Sequence, residues 1–186
     1  SPYGDIYFAA TQGTNTIEVV DTYRGSLVSS IIAMQFDEIE GLGPRIHGIA
    51  PQGLALDDEG RRLFVHNFLS RSVSVYDVDS LVRGIRSSAP VLREVSTVAE
   101  EQLPRRVLLG KRMFYNASDP RMSRDGYLSC ASCHLDGGSD GRVWDFTQVG
   151  EGLRNTIDLV GKAGVGHGNA HATAIFAEIP AFETDI

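Results

Sequence analysis

Cys130, Ala131, Ser132, Cys133 and His134 set two thiols three positions apart, with an imidazole directly after the second. At this spacing two thiols can add to the vinyl groups of a haem while the adjacent histidine ligates its iron. Each residue type is needed: short thiols for the thioether links, two spacers to match the vinyl separation, and an imidazole beside the second link. The expectation is one covalent haem c in this chain, anchored by Cys130 and Cys133, with His134 as the proximal ligand to iron. Two other chemistries use the same dithiol spacing. A thioredoxin-like redox pair leaves His134 without a role, and no clear βαβ pattern accompanies the motif. A structural zinc site is the more serious rival, since Cys130, Cys133, His167 and His171 spell C-x2-C…H-x3-H, although the spacer is far longer than in a zinc finger.

The sixth iron position is open between several residues. No methionine follows Met122, and Met113 and Met122 precede the motif, where they read as packing residues. His167 and His171 are the only histidines downstream of His134. His171 is the favoured distal candidate, because it adjoins the apolar run Ala172 to Phe176, which reads as a helix; His167 is the second. A bis-histidine haem suits electron transfer, whereas an open position permits ligand chemistry. Arg154 is a candidate for holding a haem propionate by bidentate hydrogen bonds, with a local capping role as the alternative. Trp144 is the only large aromatic with a polar edge between the motif and Thr156.

These residues must be carried by a chain of 186 residues, 42% hydrophobic and 22% charged, a composition that fits one large or two small globular domains. The formal charge of −7 argues against a nucleic-acid partner, which requires a basic stripe. No apolar run reaches the roughly 20 residues needed to cross a bilayer as a helix. Both cysteines lie inside the motif, so no structural disulfide framework is expected. His47 and His66 read as loop and strand residues without a metal role.

Residues 1–97 read as β structure, with short alternating runs between turn residues. Shifting Phe8–Asp21 by 56 positions lays it on Phe64–Asp77 without a gap, each copy a strand, a polar turn and a second strand ending in Asp. Residues 35–48 read as an inserted loop. Residues 98–106 read as a linker, with Pro104 marking a helix start. From 107 onward the period becomes helical, with Val107, Gly110 and Phe114 on one face. A short helix is expected over Ser129–Leu135, followed by a glycine-rich loop through Gly141.

Two resemblances add to this reading. Phe8–Asp21 and Leu54–Asp77 resemble the repeats of the YVTN-type β-propeller family, whose strand pairs carry N-x-x-S/N-x-V-S-V-x-D. From about residue 105, the chain resembles the dihaem cytochrome c peroxidase superfamily: Gly110 and Phe114 fit a G-x-x-L-F helix, and Asp119, Pro120, Ser123, Asp125 and Gly126 a D-P-x-x-S-x-D-G turn. Asp140 with Gly141, and Arg154, Asn155 and Thr156, match its D-G and R-N-T elements. The resemblance implies β-propeller blades followed by a mostly α-helical, class I cytochrome c-like domain at 107–186, in a bacterial exported protein of the periplasm or cell exterior. It also implies a redox partner protein or a further haem domain, missing blades upstream of Ser1 or from another chain, and a natural protein continuing past Ile186. Two departures bear on activity: no histidine stands between Leu135 and Thr156, where the peroxidases carry a distal one, and no second C-x-x-C-H follows in the 52 residues after His134. Electron transfer with the β region as scaffold or binding module is therefore the leading expectation, and a peroxidase-like or substrate-oxidising enzyme is the alternative.

Overall fold

Alternation of apolar and polar residues over six positions makes a strand with one buried face, and this pattern builds most of the N-terminal region. The computed structural model describes residues 1–33, 35–39, 43–47, 49–119 and 123–160. The chain divides into two compact units, Ser1–Leu108 and Leu109–Ile186.

In the first unit, β1 (Ile6–Thr11), β2 (Thr16–Asp21) and β3 (Ser26–Ile32) form a three-stranded antiparallel sheet in that order. β4 (Gln35–Ile39) pairs with β5 (Gly43–His47), and β6 (Pro51–Leu56), β7 (Arg62–Asn67), β8 (Ser72–Asp77) and β9 (Val91–Ser96) make a four-stranded antiparallel meander. The short helix α1 (Asp79–Val82) lies between β8 and β9. The hairpins β1–β2 and β7–β8 stand at the 56-residue offset, and their turns share a left-handed residue at the equivalent position, Asn15 (φ 57°) and Arg71 (φ 52°). Ile17, Val19, Ile31, Leu63, Val65, Tyr76, Val78 and Leu81 form the buried core of this unit.

The division falls within α2 (Arg105–Tyr115), whose start follows Pro104; the Leu108 N–H donates to the Pro104 carbonyl at 3.0 Å. In the second unit, α3 (Cys130–Cys133) is followed by a 3-10 turn at Leu135–Gly137 and by a hairpin of β10 (Val143–Phe146) and β11 (Gly152–Asn155).

The expected fold class is overturned. The chain is mostly antiparallel β-sheet with few helices, and among the described residues no sheet closes into a propeller or barrel. Among the described residues the mostly α-helical, class I cytochrome c-like domain is not seen, and the second unit contains the β10–β11 hairpin, which the sequence reading had not placed. Val143-Trp144-Asp145-Phe146 alternates at period two, and Gly150 (φ 83°) and Gly152 (φ 67°) supply positive φ at the hairpin's return, a conformation glycine adopts without a Cβ clash. Residues 35–48, read as a loop, contain the β4–β5 hairpin, and His47 ends a strand. Met122, His167, His171 and the helix expected at 172–176 lie outside the described residues.

Candidate functional site

The sequence around the dithiol folds as a single helical turn because serine residues close its start. The Ser129 N–H donates to Ser132 Oγ at 2.9 Å, and the Ser132 N–H donates to the Ser129 carbonyl, also at 2.9 Å. A side chain three residues in thus satisfies the backbone just before the helix, the logic of a capping box with serine in the usual Glu/Gln position. The turn places Cys130 and Cys133 one helical step apart on α3, both thiols free and half-buried. Burial pushes the Cys130 thiol above its ordinary pKa; burial, then the Asp140 and Cys130 charges, pushes Cys133 up. Both groups are therefore held as thiols at neutral pH.

His134 caps the C-terminus of α3, its N–H donating to the Cys130 carbonyl at 2.9 Å. Its Nδ1 stands 3.2 Å from the Gly138 carbonyl oxygen. A carbonyl only accepts, so Nδ1 carries a proton here, and in a neutral ring this leaves Nε2 with the lone pair, the tautomer a metal-ligating histidine needs. The backbone is folded to deliver that carbonyl: the Gly137 N–H donates to His134 O at 2.9 Å and the Gly138 N–H to Leu135 O at 2.8 Å.

Asp140 ties α3 to the hairpin. Its N–H donates to the Cys133 carbonyl at 3.0 Å, and its Oδ2 accepts from Trp144 Nε1 at 2.9 Å. The Arg142 N–H, donating to Oδ1 at 3.0 Å, leads the contacts that hold the Asp140 carboxyl below its usual range. Arg154 lies directly across the hairpin from Trp144, with its Nη1 donating to the Leu153 carbonyl at 2.9 Å. The structure thus gathers Cys130, Cys133 and His134 on one turn, links Trp144 to it through Asp140, and gives Arg154 a backbone partner on β11. Gly138, the acceptor for the imidazole, carries no signal in the sequence beyond a glycine-rich run.

Among the described residues, no three or more His, Cys, Asp or Glu side chains are arranged to hold a bare metal ion. The histidines of the zinc reading, His167 and His171, lie outside the described residues. Two protonated thiols on one turn and an imidazole whose Nε2 is left as the donor form a set that fits a covalently attached haem.

Residues 104–176 match the family model of the di-haem cytochrome c peroxidases. The matched segment covers less than half of the chain and contains the whole Cys130–His134 motif. For that segment the match suggests haem binding, with haem c and iron as the cofactor chemistry of the family it resembles. No curated protein matches the chain. Among the described residues no helix is long and apolar enough to cross a membrane.

Proposed function

We propose that this chain is an exported c-type haem protein that carries one haem and passes single electrons to or from a partner protein or another haem domain. Haem c bound at α3 supplies reversible one-electron chemistry. Cys130 and Cys133 hold it through thioether links, each thiol proton and sulfur adding across one vinyl group. His134 would present Nε2 as the proximal ligand, and the Gly138 carbonyl would fix its ring plane. Arg154 is one step across the hairpin from Trp144, and a guanidinium there pairs with a propionate. His171, then His167, remain the candidates for the distal position. The β-sheets of residues 1–97 act in this reading as a scaffold or binding module.

The observation that carries the proposal is the His134 Nδ1–Gly138 contact, because it selects the ligating tautomer beside two free thiols. The family match favours a second reading, a peroxidase-like oxidoreductase with an iron position open to ligand. A pyridine haemochrome assay and oxidised and reduced spectra test the first point. One thioether-linked haem per chain, lost in Cys130→Ala, Cys133→Ala and His134→Ala, is expected; a colourless protein with stoichiometric zinc refutes it. A Soret band that shifts on adding CO or cyanide selects the enzyme, and an unreactive six-coordinate spectrum selects electron transfer.

A further inference from the structure

The residue after next to His134 is held in an unusual conformation by a helix from elsewhere in the unit. Asp136 has φ 51°, in the left-handed region that costs a non-glycine residue about 1 kcal/mol, although Asp tolerates it better than most. Its Oδ1 accepts a hydrogen bond of 2.9 Å from Tyr115 Oη, 21 positions earlier on α2. Tyr115 is buried, 8% exposed, and packs edge-on against Phe114 with ring centroids 5.3 Å apart, whereas Asp136 is exposed. Downstream, the Gly137 carbonyl accepts from the Leu159 N–H at 2.8 Å. These two ties, at Asp136 and Gly137, fix the turn directly before Gly138, whose carbonyl receives the His134 Nδ1 proton.

From this geometry we infer that Tyr115 is a positioning residue for the proximal ligand: its hydroxyl, through Asp136, holds the 135–138 turn so that Gly138 O keeps His134 in the Nδ1–H form. The inference rests on the haem reading for its consequence, since a more basic imidazole stabilises ferric iron and lowers the midpoint potential. The tether itself is a property of the protein without the cofactor.

Tyr115→Phe removes the donor and keeps the ring. Asp136→Gly removes the acceptor and keeps the left-handed backbone, while Asp136→Asn keeps both the acceptor and the tolerance for positive φ. Imidazole nitrogen NMR above neutral pH, on the haem-free chain, reads the His134 tautomer. Tyr115→Phe and Asp136→Gly are expected to raise the Nε2–H fraction several-fold, Asp136→Asn to leave it near the wild-type value, and Tyr115→Phe in the Asp136→Gly background to add nothing. In the haem-loaded protein, Tyr115→Phe is expected to raise the midpoint potential. An unchanged tautomer ratio in a folded Tyr115→Phe protein overturns the inference. A shifted ratio in a chain whose wild type yields no pyridine haemochrome supports the tether and removes the haem reading.

Discussion

Asn15 shows how one side chain can join separate stretches of a β unit. It is 1% exposed, sits at φ 57°, and its Oδ1 accepts from the Ala50 N–H at 2.8 Å, a link across 35 positions. Asparagine does both jobs, tolerating the left-handed turn and supplying a buried acceptor. Asn15→Ala keeps neither, leaving a buried N–H unpaired and straining the turn, so it should lower unfolding stability by about 2–4 kcal/mol in urea titration. Asn15→Gly relieves only the backbone and should recover about 1 kcal/mol of that loss. Equal midpoints for wild type and Asn15→Ala would show that the Ala50 contact contributes nothing. At the same scale the dithiol and His134 could be read from spacing alone, because the attachment chemistry is local in sequence. The contacts of Asp140, which the D-G element marks without a role, and of Tyr115 and Gly138 could not, since each acts through a partner that only the folded backbone brings near.

Individual strands make the next test, because period two assigns neighbouring residues opposite fates. Along β7, Leu63 is 1% exposed and belongs to the core, whereas Phe64, next in sequence, is 38% exposed on the other face. Leu63→Ala should cost about 2–5 kcal/mol. Phe64→Ala, although it removes a larger side chain, should cost well under half as much, and a chemical denaturation series on the two variants checks the order. A reversed order would mean that the register of β7 differs from Leu63 opposite Tyr76. The β1–β2 and β7–β8 hairpins were legible because the two copies repeat at a 56-residue offset and each ends in Asp, whose carboxylate accepts from the turn that follows: Asp21 from the Tyr23 N–H, and Asp77 from the Asp79 N–H. β10–β11 escaped the reading because four-residue strands carry too few repeats to separate period two from a helical period, and because a glycine-rich approach reads as loop.

Across the whole chain, the six tyrosines report on both units at once. Tyr3, Tyr7, Tyr23 and Tyr127 are exposed, between 48% and 82%, while Tyr76 and Tyr115 are buried. Burial, helped by the Glu94 charge, pushes Tyr76 up to about 12; burial and the hydrogen bond to Asp136 push Tyr115 up to about 12. A phenol free in the unfolded chain ionises near 10. Each folded-state pKa is raised above its unfolded value, so these two groups add stability in full below about pH 10 and lose it as pH rises toward about 12, because the unfolded chain there binds fewer protons than the folded one. Absorbance at the phenolate band should accordingly include a late phase of two groups that ionise only at high pH, as the chain unfolds. Tyr76 lies in the first unit and Tyr115 in the second, so Tyr76→Phe and Tyr115→Phe should each remove one group from the late phase. A titration without that late phase would place both buried phenols in water, and with Tyr115 in water the tie to Asp136 that holds the turn after His134 would be lost.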